Sequence, residues 1–299
     1  MDVSNLINAL KNGDKKALAR CITMVENETA GYDDLLLKLN SIKNIPIIGI
    51  TGPPGAGKST LISSLVGQLL SQGKKIGIIA VDPTSPFNLG SLLGDRLRMS
   101  DHFNHADVFI RSIATRGSLG GLSSKIIEIT DVMKAFDFDY IIIETVGVGQ
   151  SEVEIAGLAD TTILVLVPEA GDEIQTIKSG IMEIADIFVI NKSDRQGADI
   201  FVRNLQHLVQ SHHTKDWTPA IVKTVATDNA GISELIENIE QHQQVAVNAK
   251  RSYLLAEKVF QLLQNERMKG ISKKDLQAKI EIEMKKDGFN IYSFIKNQQ

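Results

Sequence analysis

The run Gly52-Pro53-Pro54-Gly55-Ala56-Gly57-Lys58-Ser59-Thr60 follows directly on the apolar stretch from Ile45 to Thr51. Its spacing, G-x-x-x-x-G-K-[ST], is that of a phosphate-holding loop. Glycines let the backbone wrap close to phosphate oxygens, so that successive N–H groups and the start of the next helix converge on negative charge. Lys58 has the reach to serve β- and γ-phosphates, and the Ser59 hydroxyl is a ligand type suited to Mg²⁺. An ordinary glycine-rich turn would not need an apolar strand before it and the helical pattern Leu61, Ile62, Leu65, Val66, Leu69 and Leu70 after it.

A phosphate loop alone does not choose the base. Asn191-Lys192-Ser193-Asp194 follows the apolar run Ile187 to Ile190 and has the N-x-x-D spacing with a lysine that suits guanine. A carboxylate offers two acceptor oxygens to the adjacent N–H donors of guanine, and adenine cannot match them. The wrong base would strand a desolvated carboxylate, which discriminates strongly. In this reading Asn191 ties the loop to the phosphate loop and the stem of Lys192 covers the base. The competing reading is a turn in which Asp194 caps the next helix.

Magnesium needs hard oxygen ligands near Ser59. Asp82 and Glu144 each end an apolar run, and Glu144 sits in the Walker-B position; either carboxylate suits a metal-bound water. Asp95, within Gly94 to Met99, is a third acid that would join only when that segment is ordered. After Glu144 comes Thr145-Val-Gly-Val-Gly-Gln-Ser-Glu152. Gly147 is the expected γ-phosphate sensor through its N–H, and Gln150 the weaker choice for positioning water. Arg96, Arg98, Arg111 and Arg116 all lie near these segments, and none stands out as a charge-stabilising finger.

These residues need a sheet to gather them. Short apolar runs at 45–51, 75–82, 107–113, 139–145, 161–168, 186–191 and 219–226 alternate with amphipathic stretches, which predicts an α/β fold with a mostly parallel central sheet flanked by helices. Residues 1–43 read as an N-terminal helical extension, with Asp14 as the N-cap of a helix. Residues 44–244 read as the nucleotide domain and 245–299 as a C-terminal helical region.

The chain has 299 residues with a formal net charge of −4 and no long basic run, so nothing marks nucleic acid as a partner. One cysteine, Cys21, excludes an internal disulfide. The start lacks the charged and apolar segments of a signal peptide, and no apolar run reaches membrane-spanning length, so a soluble, cytoplasmic protein is expected.

Together the residues resemble the MeaB/ArgK-type GTPases, which include human MMAA and belong to the SIMIBI class of P-loop NTPases. The match runs through Val25-Glu26-Asn27, Gly52 to Thr60, Val81 to Ser85, Gly90 to Met99, Ser118 to Gly121, Glu144 to Glu152, Pro168 to Lys178 and Asn191 to Asp194. The resemblance implies a GTP/GDP- and Mg²⁺-dependent chaperone of an adenosylcobalamin-dependent acyl-CoA mutase, such as methylmalonyl-CoA mutase, that gates cofactor loading. Hydrolysis is expected to be slow alone and stimulated by the partner. Asp82, Asp95 and Glu144 become the magnesium-associated acids, Gly147 to Glu152 the second switch, and Gly171 to Lys178 a third switch. The family forms homodimers in which terminal helices take part. Three departures stand out: Phe87-Asn88-Leu89 in the first switch, Val225-Ala226 where relatives carry Ser-Ala, and a short C-terminal region. With Val225, the expected guanine contact is the N–H of Ala226.

Two other classes compete. An ATP-using kinase serving amino-acid transport matches an older label within the family. A nickel-insertion GTPase would need gathered soft or imidazole ligands, and only His102 with His105 and His212 with His213 are near one another in sequence.

Overall fold

The computed structural model describes residues 2–39, 44–82, 99–114, 125–145, 155–171, 184–210, 217–268, 270–285 and 288–296. Its core is a sheet of β1 (Ile47–Thr51), β2 (Ile76–Asp82), β3 (Val108–Ala114), β4 (Tyr140–Glu144), β5 (Thr161–Leu166), β6 (Ile187–Ile190) and β7 (Ala220–Lys223). The strand order is β3-β2-β4-β1-β5-β6-β7, and every pairing is parallel. All seven expected runs became strands. Those in β1, β4, β5 and β6 are buried along their whole length, which is why they read as unbroken apolar runs rather than as an alternation.

Parallel strands all end on one edge, so each loop leaving a strand's C-terminal end is delivered to the same rim. β1 sits between β4 and β5, and Ile50 pairs in register with Glu144. Leu166 pairs with Ile190 at the ends of β5 and β6. The phosphate loop, Glu144 and the Asn191–Asp194 loop therefore emerge side by side although they lie far apart in sequence.

The flanking helices are α1 (Val3–Lys11), α2 (Lys15–Glu26), α3 (Tyr32–Lys38), α4 (Lys58–Ser71), α5 (Ile126–Lys134), α6 (Ala198–Gln210), α7 (Ile232–Arg267), α8 (Lys273–Glu283) and α9 (Ile291–Lys296). α4 buries Leu61, Ile62, Leu65, Val66 and Leu69 in one apolar cluster with Ile48, Ile50, Ile76 and Ile78 of the sheet. Each such side chain contributes about 1.5–3 kcal/mol when taken out of water, so this face fixes the axis along which α4 points at the rim. Asp14 caps α2 as expected, accepting from Lys16 N at 2.7 Å and Ala17 N at 3.3 Å.

Met1–Leu255 and Ala256–Gln299 form two compact units. The first holds the sheet together with α1 to α3. α7 runs unbroken through positions 244 and 245; Ile232, Leu235, Ile236 and Ile239 on its first turns are buried in the core. The second unit contains α8 and α9 and exposes Val259, Phe260, Leu263, Ile282 and Ile295. No helix among the described residues is long and apolar enough to cross a membrane.

Candidate nucleotide site

The phosphate loop turns on glycines. Gly55 and Gly57 have φ of 80° and 88°, left-handed values that other residues adopt only with strain. Gly57 is also the N-cap of α4, and a Cβ there would stand 2.4 Å from Asn191 Nδ2. The glycine thus serves loop-to-loop approach as well as backbone conformation. Lys58 opens α4 and is buried; its Nζ donates to Gly52 O at 2.8 Å and Pro53 O at 3.1 Å. The ammonium therefore lies folded across the mouth of the loop. Pro54 and Gly55 form the exposed tip, whereas Ala56 is packed in the core and Thr60 is half-buried.

Ser59 and Glu144 meet at the rim. Ser59 Oγ donates to Glu144 Oε1 at 2.7 Å, and both side chains are buried. Beside them Thr145 Oγ1 donates to Thr51 Oγ1 at 2.8 Å, which fastens the ends of β4 and β1 together. A hydroxyl and a carboxylate converging from neighbouring strands are hard oxygen donors of the kind that Mg²⁺ takes, so the residues present fit that ion. Asp82 closes β2, with Ala114 as its register partner; its carboxylate lies outside the described residues. Asp95, Gly147 and Gln150 lie outside them as well, as do Arg96, Arg98 and Arg116. Arg111 is engaged elsewhere: its guanidinium donates to Glu26 Oε2 at 2.6 Å and Thr23 Oγ1 at 3.3 Å, so it braces β3 against α2.

Asn191 organises the loop after β6. Its Nδ2 donates to Ala56 O at 2.9 Å, and its Oδ1 accepts from Thr224 Oγ1 and from Ala226 N, each at 3.2 Å. One buried amide thereby joins the loops after β1, β6 and β7. Lys192 adopts φ 56°, uncommon outside glycine, and its Nζ reaches Gly55 O at 2.8 Å. The aliphatic stem of Lys192 is laid toward the phosphate loop. Asp194 is exposed and among the described residues accepts no hydrogen bond; α6 begins only at Ala198. The capping alternative for Asp194 is thereby removed. The Ala226 amide is thus already engaged by Asn191.

Three supports were not apparent from sequence. Thr224 anchors Asn191 from beneath. Ser64 Oγ donates to Ala226 O at 2.5 Å and pulls the last turn onto α4. Gly231, with φ 77°, passes so close to β7 that a Cβ would stand 2.0 Å from Lys223 O. Of these, only the glycine after Asn229-Ala230 carried a local turn signal.

A family model described as methylmalonyl-CoA mutase-associated GTPase MeaB matches residues 18–283. The chain belongs to the MeaB family. A putative GTPase of Pyrococcus abyssi is 47% identical over 292 residues, covering 96% of this chain and 89% of the relative. The GTPase ArgK of Escherichia coli is 37% identical over 240 residues, covering 77% and 72%. The mouse mitochondrial methylmalonic aciduria type A homolog is 36% identical over 269 residues, covering 82% of this chain and 64% of that one. Among solved structures, one described as LAO/AO transport system kinase superposes with a TM-score of 0.70 at 26% identity, over 97% of this chain and 88% of the other. This MeaB-family chain is thus a P-loop GTPase that binds guanine nucleotide and hydrolyses GTP.

Proposed function

We propose that this GTPase times the delivery of adenosylcobalamin to an acyl-CoA mutase of the methylmalonyl-CoA type and protects or reactivates that enzyme. The observation that carries the reading is the match of residues 18–283 to a family described as mutase-associated. The likeness to the mouse methylmalonic aciduria protein supports it.

At the site, Lys58 would leave its carbonyl partners for the β- and γ-phosphates, because phosphate oxygens are far stronger acceptors for an ammonium than two neutral carbonyls. Ser59 and Glu144 would hold Mg²⁺, with Asp82 and Asp95 as further acids. The metal supplies charge neutralisation at the phosphates when bound. Asp194 would take the guanine N–H pair, with Asn191 keeping its loop in place and Ala226 offering a shared N–H. Gly147 and Gln150 would sense the γ-phosphate and orient water. With no finger arginine identified, slow hydrolysis that accelerates on contact with the mutase is the expected behaviour.

A homodimer in the cytoplasm completes the proposal, with residues 245–299 as the dimerisation region. Its support is the set of exposed apolar side chains on the unit Ala256–Gln299, with Phe260 58% and Leu263 53% exposed; apolar side chains gathered on a surface mark interaction sites. The solved structure described as a transport-system kinase favours a second reading, an ATP-using phosphotransferase.

The deciding experiment measures GTP and ATP hydrolysis with and without an adenosylcobalamin-dependent methylmalonyl-CoA mutase. Acceleration of GTP turnover by the mutase supports the proposal. No binding and no acceleration by any mutase of this class overturns the chaperone role, and tighter binding of ATP than GTP favours the kinase reading.

A further inference from the structure

Asn191 and Lys192 tie the near side of the base loop to the phosphate loop, but its far side runs over the surface. Asp194, Arg195 and Gly197 are all exposed. The far-side backbone is held by Ser193 N donating to Thr224 O at 3.0 Å and by the turn bond from Arg195 N to Lys192 O at 3.1 Å. Among the described residues, one side-chain tether crosses from here to another element. Arg195 Nη1 donates to Glu169 Oε1 at 2.6 Å. Glu169 lies in the single-turn helix Pro168–Gly171 that leaves β5, next to β6, from which the base loop leaves. That bond, then a backbone hydrogen bond, and then the positive charges of Arg195 and Lys192 hold the Glu169 carboxyl below its usual range.

From this arrangement we propose that Arg195 and Glu169 form a clasp across the loops after β5 and β6 that keeps the base loop closed and sets the rate of nucleotide release. Arg195 directly follows Asp194, so fixing its guanidinium limits how far the Asp194 carboxylate can swing outward. Opening the clasp frees that side of the loop while Asn191 still holds the other. Affinity differences among variants of one site fall mostly on dissociation, so the expected change is in release. Arg195 and Glu169 act through Asp194 and touch no nucleotide themselves; they are positioning residues. The clasp rests on the reading of Asn191–Asp194 as the guanine-holding loop.

Stopped-flow release of a fluorescent GDP analogue tests it on the full chain. Glu169→Gln and Arg195→Gln should each speed release about two- to fivefold, the range open to an exposed ion pair, with association unchanged. The double glutamine variant should be no faster than either single one. Exchanging the charges, Glu169→Arg with Arg195→Glu, should slow release again, which loss of general stability would not do. Added salt should speed release from the parent protein more than from the glutamine variants, which keep only the nucleotide's own salt-sensitive contacts. Parental release rates in the single variants, additive effects in the double, or no rescue by the exchange would overturn the clasp. Asp194→Asn, run in parallel, separates the two readings. If it leaves guanine selectivity intact, the base-loop reading fails; if selectivity is lost while the clasp variants release normally, only the clasp fails.

Discussion

The hydroxyl of Ser59 and the carboxylate of Glu144, 85 residues apart in the chain, are joined by a buried 2.7 Å hydrogen bond. An acceptor held this way keeps two would-be metal ligands together before any ion arrives. Glu144→Gln should keep the fold yet abolish the Mg²⁺ dependence of nucleotide binding, because a neutral amide is a poor partner for a hard dication. Calorimetric titration of GTP with and without Mg²⁺ checks this; an unchanged response to the ion would remove Glu144 from the metal site.

Lys58→Ala takes away the ammonium that folds over Gly52 and Pro53. Hydrogen bonds to charged groups contribute about 1.5–3 kcal/mol each, so GTP affinity should fall roughly ten- to a hundredfold or more. GTP binding at parental strength would contradict the phosphate role.

Asp194→Asn replaces one acceptor oxygen by a donor. Guanine then meets an N–H where it presents its own, whereas xanthine presents a carbonyl there. Competition experiments should show GTP weakened by about 1–3 kcal/mol and xanthosine triphosphate strengthened. A preference unmoved by the substitution would mean that the carboxylate does not read the base.

Gly231→Ala demands a methyl group 2.0 Å from Lys223 O at a φ of 77°. The chain must shift, and strain of this kind typically destabilises by about 1–3 kcal/mol. Because Val225 and Ala230 close the same turn with bonds of 3.1 and 3.2 Å, the Ala226 amide should move too. Thermal unfolding and nucleotide affinity should therefore fall together.

Burial pushes the Cys21 thiol from its ordinary 9.0 up to about 11. The folded state disfavours the thiolate, so the stabilising contribution is fully present below pH 9.0 and is lost as pH climbs through 11. Urea midpoints of the parent should fall over that window relative to Cys21→Ala. Alkylation of the folded protein near neutral pH should be slow and should accelerate on unfolding.

What was legible in the sequence was local. The runs of β1, β4, β5 and β6 are apolar because they are buried on both faces, and Gly52–Thr60 and Asn191–Asp194 are contiguous motifs that can be read without knowing the fold. Asp14 announced its helix because a cap acts on the next few residues. What stayed hidden depends on register between distant segments. Nothing near Thr224 says that its hydroxyl lies under Asn191, because that contact exists only once β6 and β7 pair. Arg111 looked available for catalysis because its partner Glu26 lies 85 residues earlier. The clasp from Glu169 to Arg195 was invisible for the same reason: two surface charges become a pair only through the adjacency of β5 and β6.

Gly52 begins the phosphate motif, yet its surroundings tell a second story. A Cβ at this position would stand 2.2 Å from Val165 O, inside the neighbouring strand. Its side chain is forbidden by the seam between β1 and β5, whether or not a nucleotide is ever bound. A variant at Gly52 that fails to bind GTP would therefore be an ambiguous report, since misassembly of the sheet produces the same blank result. Lys58 and Asp194 are the positions at which loss of binding can be interpreted as loss of a contact.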